Sequence, residues 1–491
     1  MTTDSFIVTA KQMALDTKLI PFDLWASKVH VLMLYKCKII SPETAASLIT
    51  ALVTLEADYL EGKFQINAKL GLHLTIEEKV KNICGEASLY MHTARSRNDQ
   101  VLSAELLYLR ERLLEFMLNL NLLAGIFTGK ANDHLLTVMP GYTHMQPAKP
   151  TTLAVWLASY SDMLQMNLDS LFFVYQKYNL SPLGAVESYG TSFPIDREYT
   201  SKLLGFDKVW DPTLAAISSR GFVQKEILSH LSQTAIVLSK AAADLLLFTT
   251  FEYNYAELSA ENAQQMGKVT GSSVMPQKKN PDVLELVRAL PYQISGFEGI
   301  CSNLLAALPM GYNRDTREVK EYIEAGFDKT EEAVKTMASV LTHLKINKER
   351  MYEAVIKNYS MATDLADYLS QTYNLPYRAV YQLVGGLVAE AKAAGKSLSE
   401  LHVSEVVQAA EKSGWTIKLT QTGLDEALDP SKALMKRKHQ GGSSLKVMQT
   451  LLQKQKDIIE ENKNKFKAAL NKIKTASALT EKEVKKLKEL I

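Results

Sequence analysis

The sequence predicts an all-α protein built around unusually long helices. Four stretches contain no proline and at most one glycine, and apolar residues recur in them at helical spacing, as at Leu102, Leu106, Leu109 and Leu113. Strand-like alternation is scarce. The stretches are residues 86–124, 151–180, 222–266 and 318–358. Helices of this length need long partners to cover their apolar faces, so we expect an elongated helical bundle that other subunits complete.

Shorter patterns flank these stretches and divide the chain. The helices before them are shorter, and after residue 358 the sequence is interrupted by AAGKS, EKSGW and HQGGSS. We therefore expect an amino-terminal helical domain (1–95), a central long-helix domain (96–357) and a carboxy-terminal helical domain (358–491). Beyond Leu452 lies a tail rich in lysine and glutamate, typical of a solvated or subunit-packing helix, with nucleic-acid binding as a weaker alternative. Its apolar face contains Ile458, Ile459, Phe466, Leu470 and Ile473.

Composition restricts the possible function classes. A chain of 491 residues favours two or three domains, or one large bundle. Lysine and arginine number 56 against 54 for aspartate and glutamate, which gives no electrostatic case for a nucleic-acid or membrane-surface partner. Cys37, Cys84 and Cys301 form neither a disulfide framework nor a metal-ligand spacing. With no secretory signal and no apolar run long enough to span a membrane, we expect a soluble cytoplasmic protein.

Common nucleotide-binding and hydrolase motifs are missing. Gly129-Lys130 and Gly267-Lys268 lack the first glycine of a Walker loop and the Ser or Thr that follows its lysine. Neither G-x-G-x-x-G nor G-x-S-x-G occurs. The sequence therefore argues against a dinucleotide- or triphosphate-dependent enzyme and against an esterase-type hydrolase.

Three polar stretches are candidates for chemistry, and the first is MHTARSRNDQ, residues 91–100. It places Arg95, Ser96, Arg97 and Asn98 in one turn before a long helix. Free backbone N–H groups and two guanidiniums at such a position favour a carboxylate, which predicts an anion clamp. Helix capping with solvated arginines explains the pattern equally well.

The second stretch, PGYTHMQPAKP, spans residues 140–150 and contains Thr143 and His144. A lone histidine is more often structural or exposed than catalytic, although the polar neighbours favour a function here.

The third stretch, GSSVMPQKKNPD, spans residues 271–282 and carries Lys278 and Asn280 just before an expected helix start. A lysine pair is typical of a solvated surface, but the glycine and prolines around it indicate a mobile, anion-binding lid at least as strongly.

Together the three stretches resemble a known enzyme family. GSSVMPQKKNPD resembles the signature loop of the fumarase and aspartase superfamily, and QKKNPD, HTARSRNDQ and GYTHMQPAKP are similar to argininosuccinate lyase and the related delta-crystallins. The similarity extends in order from about residue 20 to residue 443. It implies a three-domain helical subunit whose long helices form a homotetramer, with active sites built from three subunits. It also implies reversible β-elimination of argininosuccinate to arginine and fumarate, a step of arginine biosynthesis, without metal or organic cofactor.

The resemblance also implies roles for residues near the reacting bond. Ser272 and His144 match the pair that moves protons on opposite faces of the substrate; we expect Ser272 at the Cβ proton and His144 on the leaving-group side, with the opposite assignment open. Lys278 and Asn280 match groups that stabilise the dianionic aci-carboxylate formed when that proton leaves. Glu285 matches an acid that supports the histidine. Because a serine is a poor base in water, its role requires a loop that closes around it.

Other matched positions are expected to bind the substrate. Those near its carboxylates and backbone are Ser96, Arg97, Asn98 and Thr143. Ser27 resembles an amino-terminal serine that closes the site. In GYNRDTREVKE, the positions expected at the remaining end of the substrate are Tyr312, Arg317 and Lys320. Ordinary capping or surface solvation is the structural alternative for each of them.

Departures from the family's pattern are concentrated around the arginine end of the substrate. Arg317 replaces a glutamine, and its guanidinium should repel an arginine-bearing substrate unless it turns away or pairs with an acid. Other usual acidic or histidine positions are replaced by Leu70 and Gly71 ahead of His73, and by Gly221, Val319 and Tyr381. A fumarate-releasing lyase for another N-substituted aspartate is therefore an alternative. A catalytically inactive, crystallin-like structural protein is another.

Overall fold

Helices dominate the computed structural model of this chain, which describes residues 9–258, 270–271, 274–275 and 277–489. This architecture confirms the all-α prediction. The strands in the described part form two-stranded ladders and no larger sheet.

The amino-terminal helices surround one helix that is buried on all sides. They are α1 (Ala10–Thr17), α2 (Ile20–Lys36), α3 (Pro42–Leu60) and α4 (Leu72–Cys84), followed by a 3₁₀ helix, Gly85–Tyr90. Thr9 begins α1 in a capping box, and the side chain of Ser41 accepts the N–H of Thr44 in the first turn of α3. Every residue of α2 from Asp23 to Leu34 is buried, so its polar side chains lie in the core.

Long helices form the body of the molecule and share one hydrophobic core with α2 and α3. They are α5 (Arg97–Asp133), α6 (Leu153–Tyr178), α9 (Phe222–Phe248), α10 (Asp282–Ala306) and α11 (Val319–His343), with the short α7 (Arg197–Leu204) and α8 (Thr213–Ser218) before α9. By length and composition α9 could cross a membrane, but it packs here against α6, α10 and α11. It ends well before residue 266, and residues 259–269 lie outside the described part.

A β-hairpin joins α5 to α6. Strand β1 (Val138–Thr143) pairs with β2 (Gln146–Thr152), and both residues of its tip, His144 and Met145, have positive φ, as the right-handed twist of a two-residue hairpin requires. Gly141 lies at a bulge, where a Cβ would be 2.8 Å from a backbone oxygen of β2. The other strands are β3 (Leu180–Ser181), β4 (Lys208–Val209), β5 (Ala256–Leu258), β6 (Thr270–Gly271), β7 (Lys279–Asn280) and β8 (Leu344–Ile346).

A second, smaller hydrophobic core follows the long helices. It lies among α12 (Lys348–Lys357), α13 (Ala362–Tyr373), α14 (Tyr377–Ala393), a 3₁₀ helix at Leu398–Glu400, α15 (Val403–Lys412), α16 (Gln421–Ala427) and α17 (Pro430–Lys436). The hairpin contributes Val138 to this core and contacts α12. The three-domain division stays a prediction, since the first core is continuous across the proposed boundary near residue 95.

The carboxy-terminal tail is a single helix of 45 residues, α18 (Leu445–Glu489). Its apolar face packs on α5, α6, α7 and α2 of the same chain, with Phe466 fully buried against Phe172. Thr480 accepts a hydrogen bond from Trp25 Nε1 at 3.0 Å, and Glu481 pairs with the buried Lys28. The tail is therefore part of the body of its own subunit.

Replacing Phe466 by alanine should lower the free energy of unfolding by about 3–5 kcal/mol, because a ring that is fully buried leaves a cavity. Leu60→Ala is the matched control: Leu60 is 78% exposed, so its truncation should change stability by less than about 0.5 kcal/mol. Urea unfolding of both variants measures the difference. Equal effects would show that α18 does not contribute to the core.

Candidate active site

A cavity of about 350 Å³ lies at one end of the long helices. Its wall brings together residues of α1, α4, the first turn of α5 and the segment between α10 and α11. Five predicted substrate-binding residues line it: Arg97, Asn98, Tyr312, Arg317 and Lys320. The other lining residues are Asp16, Lys69, Leu70, Gly71, Leu72, His73, Leu74, Val101, Arg220 and Arg314. Arginine and lysine thus predominate on the described wall.

The first turn of α5 is held by its own cap. The hydroxyl of Ser96 accepts the N–H of Asn98 at 3.3 Å, and the N–H of Ser96 donates to Asp99 Oδ1 at 3.0 Å. Asp99 Oδ2 also accepts two backbone N–H groups of the 184–186 loop, each at 2.9 Å. Burial raises the pKa of Asp99 to about 6, although these N–H donors and the nearby Arg95 oppose the shift. The cap leaves Arg97 exposed at the cavity.

A buried carboxylate positions a histidine in the wall. Asp23, which is fully buried, contacts His73 Nδ1 and accepts both a hydrogen bond from Gln100 Nε2 at 2.9 Å and one from the hydroxyl of Ser27 at 3.1 Å. Burial alone would raise the pKa of Asp23, but His73 and Arg95 lower it overall. The carboxylate therefore fixes the ring of His73, which lines the cavity. Asp23 was not among the residues predicted from the sequence, and His73 was named there only as a neighbour of Leu70 and Gly71.

Ser27 lies behind this wall. Its hydroxyl accepts a hydrogen bond from Arg95 Nη1 at 3.0 Å, donates to Asp23, and is fully buried. In this arrangement Ser27 supports the two charged side chains and does not line the cavity. Its contact with the substrate stays a prediction.

Four charged side chains form a buried cluster beside the cavity. Lys320 Nζ lies 3.1 Å from Asp16 Oδ1 and 2.9 Å from Glu105 Oε1, and Glu105 also pairs with Arg220 at 3.3 Å. Burial would raise the pKa of Glu105, but Lys320 and Arg220 lower it below its ordinary value. Burial would lower the pKa of Lys320, but Glu105 and Asp16 raise it overall. Lys320 is therefore a cation at neutral pH, shared by two carboxylates.

Only some of the departures from the family's pattern line the cavity. Leu70, Gly71 and Arg317 do, and no atom of the described residues lies within 4 Å of the position that a Cβ on Gly71 would occupy. Gly221 precedes α9, where a Cβ would meet a leucine of α10 at 2.6 Å. Val319 is buried at the start of α11, and Tyr381 is exposed on α14. The last three lie outside the described wall.

Thr143 and His144 are exposed at the hairpin tip, far from the start of α5. At 1.5 Å per residue, the 37 residues of α5 span about 55 Å. Even if fully extended back along the helix, the chain from Asp133 to His144 would cover at most about 40 Å. Within one chain His144 therefore cannot reach Arg97.

The third group of predicted residues lies at the start of α10. As predicted, the helix begins directly after Pro281; Lys278 and Glu285 are exposed and Asn280 is half-buried. Ser239 Oγ of α9 donates to the carbonyl of Arg288 at 2.8 Å, whereas the end of α10 lies against the start of α9, so the two helices are antiparallel. The 25 residues of α10 separate this group from the cavity end by about 37 Å. Ser272 lies outside the described residues.

The buried cluster gives a pH-dependent prediction. Glu105→Gln should lower the free energy of unfolding at pH 7 by about 3–5 kcal/mol, because it leaves Lys320 and Arg220 without their shared carboxylate. Since the pKa of Glu105 is below its ordinary 4.5 in the folded protein, this stabilisation is present above pH 4.5 and is lost as pH falls through the folded pKa. The difference between the two proteins should therefore shrink in acid, as urea unfolding across this pH range would measure.

Glu426→Gln is the control, because Glu426 and Lys432 form a pair in which both side chains are about half exposed. Its removal should cost less than about 1 kcal/mol at any pH. A Glu105→Gln deficit that stays constant between pH 7 and strongly acidic pH would contradict the pairing.

Comparison with known proteins identifies the family of this chain. Residues 8–296 match the Lyase family, and residues 359–435 match the argininosuccinate lyase C-terminal family. The chain is 34% identical over 447 residues to argininosuccinate lyase of Arthrospira platensis, covering 90% of this chain and 92% of that one. It is 37% identical over 397 residues to argininosuccinate lyase of Thermus thermophilus, covering 80% and 84%. A crystal structure of EDDS lyase in complex with formate superposes with a TM-score of 0.88 at 28% identity, covering 97% of this chain and 93% of that one. The chain belongs to the argininosuccinate lyase family.

Proposed function

We propose that this chain is a carbon–nitrogen lyase that cleaves L-argininosuccinate reversibly into L-arginine and fumarate in the cytoplasm. The observation that carries the proposal is the cation-rich cavity, where Arg97, Asn98, Tyr312 and Lys320 converge from distant parts of the chain. Guanidinium, ammonium, amide and phenol groups are donors suited to the carboxylates of a succinyl compound. Family membership over most of the chain supplies the reaction class.

The proposed chemistry is proton transfer with electrostatic stabilisation. Removing the Cβ proton puts excess charge on the neighbouring carboxylate, which Lys278 and Asn280 are proposed to stabilise. Ser272 takes this proton and His144, supported by Glu285, serves the departing nitrogen; the reverse assignment of the two remains open. Ser96, Arg97, Asn98 and Thr143 are proposed to bind the substrate's carboxylates. The steps as written call for no metal or organic cofactor.

We also propose that each active site is shared between subunits of a homotetramer. The cavity lies at one end of the long helices, and the start of α10 and the hairpin lie toward the other end, so chains running in opposite directions could bring these groups together. Large apolar side chains on these helices support such an assembly, because more than half of each is exposed in the single chain. They include Met166, Phe173, Leu286 and Tyr292.

A fumarate-releasing lyase acting on another N-substituted aspartate is a second candidate. Two features of the cavity favour it: Arg317 adds a guanidinium where the family pattern has a neutral amide, and Gly71 removes an acid. Both changes make the wall less suited to a guanidinium-bearing substrate. The structural similarity to EDDS lyase also supports the second candidate. A catalytically inactive structural role is the remaining alternative. Such a role would not require Ser272, His144 and Lys278.

A panel of N-substituted aspartates tests these candidates through ultraviolet detection of fumarate. Argininosuccinate should give the fastest release, and Ser272→Ala should lower kcat by about 10²–10⁴ without a comparable change in substrate affinity. Ser273→Ala is the matched control and should keep most of its activity. Fumarate release from another compound but not from argininosuccinate would favour the second candidate. No fumarate release from any compound would favour the inactive structural role.

Mixing two inactive variants tests the shared site. Arg97→Ala removes a group of the cavity and His144→Asn removes the hairpin-tip imidazole; both homo-oligomers should be nearly inactive. Dissociation and random reassembly of an equal mixture should restore roughly a quarter of wild-type activity, because some sites then receive an intact copy of each group. Arg97→Ala mixed with Asn98→Ala is the control. These two residues belong to one cavity of one chain, so no activity should return; equal behaviour of both mixtures would contradict the proposal.

A further inference from the structure

The backbone ladder of the hairpin between α5 and α6 is short of hydrogen-bond donors. Proline occupies one position of β1 and two positions of β2, and a proline has no N–H to give to the partner strand. Tyr142, two residues before His144, pairs in register with Pro147, and the bulge at Gly141 interrupts the ladder beside it. Side-chain contacts therefore matter more for the placement of this hairpin than in a hairpin with a complete ladder.

Tyr255 provides such a contact and is itself firmly held. Its hydroxyl lies 2.7 Å from the hydroxyl of Tyr142. Its backbone N–H donates to the carbonyl of Phe248, and its own carbonyl accepts the N–H of Asn347, each at 2.9 Å. The residue is 3% exposed, and its ring packs on that of Phe248 with the centroids 5.7 Å apart. Because the backbone and the ring of Tyr255 are both fixed, its hydroxyl is a stationary point of attachment for β1.

We propose that Tyr255 is a positioning residue for catalysis, which fixes β1 through the hydroxyl of Tyr142 and so determines where His144 lies in the active site. The inference rests on the proposed function, in which His144 serves the departing nitrogen. Proton transfer requires the two heavy atoms to lie within hydrogen-bond distance, and a displacement of about 1 Å can cost about a hundredfold in rate. Neither the sequence motifs nor the proposed reaction assigns Tyr255 a function.

The two hydroxyls form a neutral pair. Burial raises the pKa of Tyr142, and the hydrogen bond with Tyr255 raises it further. Burial also raises the pKa of Tyr255, although its bond with Tyr142 opposes the shift. A neutral phenol both donates and accepts, so the contact can form in either direction. The contact therefore persists throughout the pH range in which a histidine changes its charge.

Tyr253 provides a matched control in the same aromatic cluster. Its ring centroid lies 5.9 Å from that of Tyr142 and 5.3 Å from that of Tyr255. Its carbonyl accepts a hydrogen bond from Arg350, but its hydroxyl has no hydrogen-bond partner among the described residues. Tyr253→Phe therefore removes the same atom as Tyr255→Phe and leaves the bond between the other two hydroxyls intact.

Fumarate release from the N-substituted aspartate that is cleaved fastest tests the proposal. Tyr255→Phe should lower kcat about three- to tenfold, the loss expected for one hydrogen bond, and should change KM less than about twofold. Tyr142→Phe should lower kcat equally, and the double variant should lower it no further, because both changes break the same contact. Tyr253→Phe should leave kcat and KM unchanged.

The same substitution in a His144→Asn background shows whether Tyr255 acts through the histidine. Without the imidazole, Tyr255→Phe should lower the residual kcat less than about 1.5-fold, whereas a general loosening of the fold would lower it as much as in the wild-type background. Equal losses in the two backgrounds, or a Tyr255→Phe enzyme as active as Tyr253→Phe, would overturn the positioning role. A His144→Asn enzyme as active as the wild type would instead contradict the proposed function, and the inference with it.

Discussion

Helix α5 is a rod about 55 Å long, and its two ends determine where the functional groups of this chain can lie. Its amino end supplies Arg97 and Asn98 to the cavity, while its carboxyl end leads into the hairpin that carries His144. Because α10 runs antiparallel to α9, Lys278 and Asn280 lie about 37 Å from the cavity end, toward the end that carries the hairpin. A single subunit therefore separates the binding groups from the proton-transfer groups, and the proposed chemistry depends on how subunits associate.

Buried charge pairs stabilise the cavity end before any ligand enters. In α2, Asp23 fixes His73 on one side, and Lys28, only 1% exposed, lies between Glu56 and Glu481 on the other. Removing one partner leaves a buried charge unpaired, which destabilises the fold far more than the intact pair stabilises it relative to apolar side chains. Each charged group therefore holds its partner in place. The far end of α18 is thus connected to the cavity wall through a single buried helix. Donors held in this way need little reorganisation when a substrate's charge arrives.

Local patterns in the sequence predicted the long helices and the start of α10, because proline, glycine and apolar spacing act over a few residues. They could not place the boundary of α5, which begins at Arg97 because Ser96 forms a cap there. The hairpin was missed because its strands contain glycine and prolines, which are rare in strands, and show no strand-like alternation. The charged cluster was also missed: Asp16 and Lys320 are 304 residues apart, so only the tertiary fold brings them together. The role of Ser272 stays a prediction.

The hairpin between α5 and α6 has fixed strands and an exposed tip, as expected for a segment that contacts another molecule. His144 has a φ of 52°, a conformation that costs a non-glycine residue about 1–2 kcal/mol and persists only where the surroundings impose it. Those surroundings are contacts of the two strands: the hydroxyl of Tyr142 lies 2.7 Å from that of Tyr255, and Arg437 donates to the carbonyl of Pro150 at 2.6 Å. The strands are therefore fixed to both hydrophobic cores while the tip is exposed. A histidine on a rigid support is already positioned at its backbone, so a site formed with neighbouring chains would lose little backbone entropy in positioning it.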